Sequence, residues 1–342
     1  MKRFARIFAV CVCVALLLSG IGLLLPGRAL ADNNARDYIP APAGTLAILT
    51  YYENVTAQNL YVKGSTGPGH GGTDNLGLSA NEGILRPIYF FDIPLPFDLG
   101  PMRANIQALF PFGGLNLNEG SVSTTHPEFN GTPVASESSS GFGAPFLVSQ
   151  LWLLHNETTK SYIGIAPFVF FPTGAYQDWK AVNIGTNNWQ FREELNGTQG
   201  FQVIPGHYAY FEVTLGSSQF TDNNDATEYH QNLYHAPTFT AESHLSYDLT
   251  KTVFVSADYY GHFAGNTRVD PIYADGTYFA TQKTGATGES SVGASLAWSF
   301  APGFQIMAQY RADVAVANGP AENIFLLRFL WATDVNSLVA SK

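Results

Sequence analysis

The chain has 342 residues, of which 46% are hydrophobic, 14% aromatic and only 13% charged, and its formal net charge is −10. Globular domains average about 25% charged residues, so half of the usual charge is missing while the apolar share is ordinary. A disordered chain would combine low hydrophobicity with high charge, and a coiled coil would be rich in Lys and Glu. The composition therefore excludes both of these classes.

Only the N-terminus has an apolar run that approaches the roughly 20 residues of a membrane-spanning helix. Three basic residues precede it, Ile7–Leu25 is almost continuously apolar, and Ala29–Ala31 supplies small residues before Asp32. This order is typical of a secretory signal peptide, although the apolar part is longer than usual and an uncleaved anchor is the alternative. We predict a signal peptide over 1–31 with cleavage between Ala31 and Asp32.

Cleavage would change the composition of the mature chain. Both cysteines, Cys11 and Cys13, leave with the signal peptide, so the remaining 311 residues have no thiol with which to form a disulfide. Four of the 17 basic residues leave as well, and 13 basic against 27 acidic residues give a formal charge of −14. Nucleic acid is excluded as a partner because phosphate binding requires basic patches.

Polar and apolar residues alternate along much of the mature chain. Arg103, Asn105 and Gln107 are separated by apolar residues, and similar alternation follows Thr238 and Phe304. A period of two over 7 to 11 residues indicates a strand with one wet face and one apolar face. About twelve such segments occur, starting near Thr45, Ile84, Met102, Ala144, Ser161, Asn188, Gly206, Pro237, Lys251, Ser290, Gly303 and Glu322.

The segments and their connections indicate a transmembrane β-barrel. Most segments have 8 to 11 residues, which suits tilted membrane strands better than the shorter strands of soluble sheets. Long connections such as Pro111–Gly143 alternate with short ones such as Leu249–Thr250, as in outer-membrane barrels with short turns on one rim. The last connection, Val314–Ala321, is predicted to be of moderate length. A wall that meets lipid on one side also explains the shortage of charge.

Aromatic residues cluster near the predicted strand ends, which is typical of the girdles at membrane interfaces. We assign to these girdles Tyr51, Tyr52, Phe90, Phe91, Phe168, Phe170, Phe171, Tyr259, Tyr260, Trp298, Phe300, Phe329 and Trp331. The alternative is that some of them are ordinary core residues.

The predicted fold class is all-β, an antiparallel up-and-down transmembrane barrel of about twelve strands in the outer membrane of a Gram-negative cell. Residues 32–44 form a periplasmic lead segment, 45–332 the barrel and 333–342 a C-terminal tail, with both termini periplasmic. The expected partners are outer-membrane lipid and the barrel-assembly machinery.

Several short motifs resemble a known family. They are Asp37–Thr45, Leu49–Tyr52, Phe171–Tyr176, Asn183–Gly185, Asn188–Phe191, Ala241–Asp248, Ala257–Tyr260, Gln309–Val314 and Asn318–Gly319. In this order they resemble the MetA-pathway phenol-degradation family of outer-membrane proteins, which overlaps the sphingosine-responsive outer-membrane transporters. The resemblance covers nearly the whole mature chain.

This resemblance implies passive uptake of small hydrophobic or aromatic compounds. The alternatives within transport are a sphingoid or lipid-responsive transporter and a general porin for polar solutes. A barrel-borne lipid-modifying enzyme is the alternative from another class. Long-chain fatty-acid transporters are similar in kind and begin with a hatch containing Asn-Pro-Ala, whereas here Pro40–Ala43 reads Pro-Ala-Pro-Ala, so a hatch of that design is not expected.

The polar strand faces supply candidate lumen-lining residues, which could pair with one another or set selectivity. They are Arg86, Arg103, Asn105, Gln107, Glu212, Glu242, His244, Asp258, Gln309, Arg311, Asp313 and Arg328. Simple charge pairing inside a narrow barrel is the alternative. We predict no catalytic residue, metal site or cofactor, because the histidines are scattered and no G-x-S-x-G motif is present.

Overall fold

The protein is described here from a computed structural model. It describes residues 32–61, 72–74, 77–96, 100–118, 120–123, 133–134, 136–178, 183–226, 232–269, 273–274, 277–278, 282–283, 286–317 and 319–335. The predicted signal peptide and most of the predicted C-terminal tail lie outside these residues.

Twelve long antiparallel strands form a closed barrel. They are β1 (Thr45–Tyr61), β2 (Leu78–Ile93), β3 (Met102–Leu117), β4 (Phe146–Asn156), β5 (Ser161–Phe170), β6 (Gln190–Ile204), β7 (His207–Phe220), β8 (Thr238–Asp248), β9 (Val253–Ala264), β10 (Thr287–Ala301), β11 (Phe304–Ala317) and β12 (Gly319–Asp334). Each strand pairs with the next, and β12 closes the barrel by pairing with β1. In this pair Thr45 lies opposite Asp334 at one end, and Tyr61 lies opposite Gly319 at the other. The predicted twelve-stranded barrel is therefore confirmed.

Shorter strands extend or decorate the wall beyond the barrel. They are Gly72–Asp74, Gly120–Ser123, Pro133–Val134, Glu137–Phe142, Leu233–His235, Thr267–Val269, Tyr273–Ala274, Thr277–Tyr278 and Gln282–Lys283. Glu137–Phe142 pairs with the end of β3, and Leu233–His235 pairs with Thr267–Val269. No helix in the described part of the chain is long and apolar enough to cross a membrane.

The connections divide the barrel into two rims. The turn rim has the short connections 94–101, 157–160, 205–206, 249–252 and 302–303, and the loop rim has the long connections 62–77, 118–145, 171–189, 221–237 and 265–286. Two of the tightest turns end in Gly206 and Gly303, and each glycine directly follows a proline. Their φ angles are positive, 82° and 76°, which glycine adopts without steric cost. The chain enters the barrel at Thr45 and leaves it at Asp334, both on the turn rim.

The sequence-based strand starts agree with the structure to within three residues, except that β2 begins at Leu78 rather than near Ile84. The prediction of a moderate connection over Val314–Ala321 was wrong, because only residue 318 separates β11 from β12. Here Ala315 and Val316 still pair with β10, although this run of small apolar residues shows no alternation. Strand β12 also continues two residues beyond the predicted boundary at Ala332.

The two faces of the wall have inverted polarity relative to a soluble protein. Outward-facing Leu195, Leu215 and Leu296 lie about half exposed, whereas Asn105 and Ser246 on the inner face are completely buried. This arrangement suits a wall between lipid and a polar interior, because the bilayer core disfavours charged and unpaired polar groups.

The aromatic residues divide between these faces. Trp298, Phe300 and Phe329 are exposed and form a cluster of ring contacts near the turn rim, as expected for a girdle. The prediction was wrong for a second group that is buried inside the barrel, namely Tyr51, Phe90, Phe168, Phe170 and Tyr260. Neighbouring residues of a strand point to opposite faces, so an aromatic pair at a strand end contributes only one ring to the lipid side.

Residues 32–44, called the plug below, lie inside the barrel. Asp37 contacts β2 and β12, Tyr38 contacts β4 and β6, and Arg36 contacts β7 and β8. A segment that reaches strands on all sides of a closed wall must occupy its interior. The description of 32–44 as a periplasmic lead segment is therefore corrected: the side chains of Arg36, Asp37 and Tyr38 bind residues of the inner wall.

Candidate functional site

The plug runs from the middle of the barrel at Asp32 to the turn rim at Gly44. Gly44 is fixed at the rim, where its N–H donates to the carbonyl of Phe90 at 2.8 Å and its carbonyl accepts from Val335 at 2.9 Å. Further in, the chain makes tight turns, and Arg36 has a positive φ of 72°. Non-glycine residues rarely adopt this conformation, so the surrounding contacts must hold it there.

Asp37 links two strands that lie on either side of β1. Its carboxylate accepts hydrogen bonds from Arg86 of β2 at 3.0 Å and from Arg328 of β12 at 2.7 Å. Arg86 also donates to Gln107 at 2.7 Å and to Tyr51 at 2.9 Å. Burial alone would raise the pKa of Asp37, but the guanidinium groups of Arg328 and Arg86 outweigh burial and hold it below its ordinary value.

Arg36 anchors the plug to the opposite wall. Its backbone N–H donates to Glu212 at 2.8 Å, its Nε to Ser246 at 3.0 Å, and its guanidinium pairs with Asp248 at 2.8 Å. The same guanidinium lies over the ring of Phe254, 4.0 Å from its centroid. These contacts explain how the strained backbone at Arg36 is maintained.

Tyr38 is the main buried ring of the plug. Its hydroxyl donates to Glu194 at 2.7 Å, and its carbonyl accepts from the indole of Trp152 at 2.8 Å. A Cβ at Gly164 of β5 would lie 3.2 Å from the Tyr38 ring, so the glycine leaves room for it. Burial, with the nearby Glu194 carboxylate, raises the pKa of Tyr38 well above its usual value, which keeps the hydroxyl as a donor.

The inner end of the plug lies in a group of charged residues. Asp32 accepts from Arg311 and from His262 Nε2, the latter at 2.7 Å, and His262 Nδ1 faces Glu289 at 2.6 Å. Ionised carboxylates cannot donate, so this geometry requires a proton on both ring nitrogens. Burial opposes ionisation of Asp32, but Arg311 and His262 reverse its effect and lower the Asp32 pKa.

Asn33 joins this group to the Tyr38 contacts. Its side-chain amide donates to Glu194 at 2.9 Å and to Glu242 at 3.1 Å, and its backbone N–H also donates to Glu242 at 3.1 Å. We call the charged residues around the plug the ionic layer. They are Arg86, Arg192, Glu194, Glu212, Glu242, His262, Glu289, Arg311 and Arg328.

A second polar cluster belongs to the wall rather than to the plug. Asp258 accepts from His244 at 2.8 Å, Ser295 at 2.7 Å, Ser256 at 3.1 Å and Gln309 at 3.1 Å. Both serine hydroxyls bond to the aspartate and not to the imidazole. This is not the order of a nucleophilic triad, in which the histidine bonds to the serine.

Ten of the twelve predicted lumen residues are buried side chains of the inner wall. They are Arg86, Asn105, Gln107, Glu212, Glu242, His244, Asp258, Gln309, Arg311 and Arg328. Arg103 lies near the turn rim, where it pairs with Asp92 at 2.6 Å and donates to the plug carbonyl of Ala41. Asp313 lies towards the loop rim, is only partly buried, and bonds to Ser291 and the backbone of Glu322.

Sequence reasoning missed several residues that contact the plug. Arg192 and Glu194 alternate with outward residues along β6, so the period-two pattern could have identified them. His262 and Trp152 follow the same rule on β9 and β4. The plug residues themselves have no periodicity, and no local signal marked them.

Apolar residues of the inner wall flank the ionic layer at both ends. At the turn rim, a cavity of about 360 Å³ lies between the plug and the wall. Its apolar lining includes Ile39, Leu49, Ile88, Phe90, Phe254 and Leu330. Nearer the loop rim, a second apolar patch is formed by Leu109, Phe146, Val148, Phe168 and Phe170.

One residue of the plug and two of the ionic layer have the donor types of a metal site. Atoms of Asp32, Glu242 and His262 lie within 4.8 Å of one another. Both oxygens of Asp32 and both nitrogens of His262 already take part in hydrogen bonds. The geometry therefore presents a completed ion pair at Asp32 and His262.

Comparisons with known proteins agree with this architecture. The profile of the family described as "Putative MetA-pathway of phenol degradation" matches residues 63–329. No curated protein sequence matches the chain. Among solved structures, the COG4313 outer membrane channel from Pseudomonas putida F1 superimposes with a TM-score of 0.70 at 20% identity, covering 88% of this chain and 100% of that chain.

Two autotransporter barrels are less similar. The transport unit of AIDA-I from Escherichia coli gives a TM-score of 0.47 at 8% identity, covering 89% of this chain and 93% of that chain. The β domain of the Bordetella autotransporter BrkA gives 0.40 at 10% identity, covering 85% and 100%. The fold of the protein, its two-faced wall and the extent of the profile match lead to one conclusion: the chain belongs to the MetA-pathway phenol-degradation family and is a β-barrel of the Gram-negative outer membrane.

Proposed function

We propose that the protein is a channel for passive uptake of small hydrophobic or aromatic molecules and that the plug is its gate. The observation that carries this proposal is the pair of apolar inner surfaces on either side of the ionic layer. A pore for polar solutes has no need of Phe146, Phe168 and Phe170 on its inner wall. Apolar molecules gain about 25 cal/mol for each Å² that they bury on such surfaces.

The loop-rim patch is suited to aromatic rings. The rings of Phe146 and Phe170 are 4.3 Å apart, and the Arg192 guanidinium lies 5.6 Å from the centroid of Phe168. These rings are buried and pack in one cluster with Tyr38 of the plug, so they can offer stacking and cation–π contacts to an incoming ring once the plug shifts. In the closed arrangement the plug occupies the lumen beyond this patch, so passage to the turn-rim cavity requires the plug to shift or leave.

Uptake and conductance measurements test this proposal. Cells that lack the gene should lose uptake of labelled phenolics, and the native gene should restore it. Phe168→Ser should lower this uptake several-fold because it places a hydroxyl in the aromatic patch. Phe142→Ser is the matched control, since Phe142 is 69% exposed and is not part of the patch.

The same cells distinguish the alternatives. Labelled alkanes and sphingoid bases are offered in parallel, and purified protein is studied in planar bilayers. A change in uptake that is confined to sphingoid bases would favour the lipid-responsive transporter. A large, stable open conductance without any change in hydrophobic uptake would favour a general porin and overturn the proposal.

A further inference from the structure

The backbone nitrogen of Asp32 is one residue away from a contact with a buried carboxylate. The next backbone nitrogen, that of Asn33, donates to Glu242 Oε2 at 3.1 Å. Consecutive backbone nitrogens are about 3 to 4 Å apart, because only the N–Cα, Cα–C and C–N bonds separate them. The nitrogen of Asp32 is therefore no more than about 7 Å from Glu242 Oε2, and a carboxylate oxygen of Asp32 lies within 4.8 Å of one of Glu242.

One oxygen of Glu242 receives no hydrogen bond within the described part of the chain. The residue is only 1% exposed, and its Oε2 accepts both donors of Asn33. Its Oε1 is buried and receives no hydrogen bond from any residue that the structure describes. Leaving an acceptor oxygen buried without a donor is costly, so this atom marks a place for a cationic or donor ligand.

Acidic groups outnumber cations around this place. The contacts described above for the residues around Glu242 involve four carboxyl groups but only three basic groups. The carboxyl groups are those of Asp32, Glu194, Glu242 and Glu289, and the basic groups are Arg192, Arg311 and the doubly hydrogen-bonded His262. Glu53 adds a further carboxylate within electrostatic reach of Asp32 and Arg311. One more positive charge at Glu242 would bring the group closer to neutrality, which matters in a low-dielectric interior.

We propose that the α-ammonium group of Asp32, formed when the signal peptide is removed, is the ligand of Glu242 and completes the ionic layer that seats the plug. Hydrolysis of the Ala31–Asp32 peptide bond adds water across it. The carboxylate leaves with the signal peptide, and the new amine stays on Asp32, where it takes up a proton. The proposal rests on the predicted cleavage site and is independent of the cargo.

An amide nitrogen at the same position cannot replace this group. In an uncleaved or extended chain the nitrogen of Asp32 has one N–H and no charge, whereas the ammonium has three donors and a full positive charge. The added residues also need space near the middle of the barrel. Signal-peptide removal and plug seating are therefore coupled through the single carboxylate of Glu242.

Chemical labelling of the purified, folded protein tests the contact directly. Intact mass and N-terminal sequencing should give Asp32 as the first residue. N-hydroxysuccinimidyl acetate should then label this α-amino group at least tenfold more slowly in the folded barrel than after denaturation. Glu242→Gln should remove most of that protection, and Glu157→Gln, a change in an exposed turn, should leave it intact.

An extended chain tests the functional consequence. Insertion of Gly-Ser between Ala31 and Asp32 should raise the open fraction of the channel in planar bilayers about tenfold. Glu242→Gln in the extended chain should raise the open fraction little further, because the pair between the Asp32 ammonium and Glu242 is already absent. Heat-modifiable migration on gels verifies that each variant has folded, and the labelling readout does not depend on channel activity.

Three results would overturn the proposal. The first is a mature chain that begins elsewhere than Asp32. The second is equal labelling of the native and Glu242→Gln proteins, since Glu242 would then not protect the amine. The third is loss of plug seating with EDTA and recovery with Zn²⁺, which would identify a divalent cation as the ligand of Glu242.

Discussion

Asp37 holds the plug between two arginines, Arg86 and Arg328, for which it is the carboxylate partner among the residues that the structure describes. In Asp37→Asn, Arg86 and Arg328 keep their charges but lose this partner, and removing one member of a buried ion pair typically costs about 3 kcal/mol or more. We expect the open fraction in planar bilayers to rise by about two orders of magnitude. Asp92→Asn is the control, because the Arg103–Asp92 pair is near the rim with Asp92 34% exposed. An equal effect of both changes would contradict a specific role for Asp37.

The lowered pKa of Asp37 also predicts how acid acts on the plug. Its ionised form is favoured in the folded state, so its contribution is complete above the unfolded pKa of about 3.9 and is lost as the pH falls through the lower folded value. The difference in open fraction between native protein and Asp37→Asn should stay constant from pH 7 to about 4 and shrink below it. A difference that already shrinks between pH 7 and 5 would show that Asp37 is not held ionised by its arginines.

Residue-level prediction succeeded where the alternation was unambiguous. Asn105 and Gln107 follow Arg103 at the first odd positions of a strand whose even positions there are apolar, and both are buried in the wall. It failed for paired aromatics such as Tyr259 and Tyr260, which were both placed in the girdle although Tyr260 is fully buried. Composition at a strand end cannot decide which of two neighbours faces lipid, because the answer depends on the register with adjacent strands.

At the scale of elements, the strands were predictable and the plug was not. Each strand must separate lipid from a polar interior, and this requirement imposes a period of two on its sequence. The plug has no such constraint, since its residues 32–44 are fixed one by one by partners on distant strands. Those partners, such as Glu194 and Arg328, are distant in sequence, so only the closed barrel shows that they contact the same short segment.

The short strand pair at the loop rim should respond to mild acid. Burial lowers the pKa of His235 to about 4, so the neutral imidazole is the form compatible with the pair Leu233–His235 and Thr267–Val269. As the pH falls below about 6.5, the unfolded segment binds a proton that the folded pair resists, and the pair loses up to about 3 kcal/mol by pH 4. Amide hydrogen exchange in these two strands should therefore be faster at pH 5 than at pH 7.5, after correction for intrinsic rates.

His235→Gln supplies the control for this measurement. Glutamine does not titrate, so the corrected exchange of the two strands should become independent of pH. Persistence of the pH effect in this variant would assign it to another group.

At the scale of the whole molecule, the outer surface must match a bilayer. Leu215 is 54% exposed near the middle of β7, and it pairs with outward-facing Leu195 of β6. If this face meets lipid, Leu215→Arg should lower the free energy of unfolding from bilayers by about 2 to 4 kcal/mol, since a cation at the midplane is costly. In a soluble barrel the same exposed position would tolerate arginine with little change.

Leu249→Arg is the matched control, because Leu249 has similar exposure but lies in the short turn between β8 and β9. The cost of arginine falls to about 0 to 1 kcal/mol near the interface, so this variant should unfold almost as the native protein does. Both substitutions add one charge and a similar volume to an exposed leucine, so they differ mainly in depth. Equal costs in guanidinium-induced unfolding from lipid vesicles would mean that the strand faces do not lie in the bilayer as their polarity indicates.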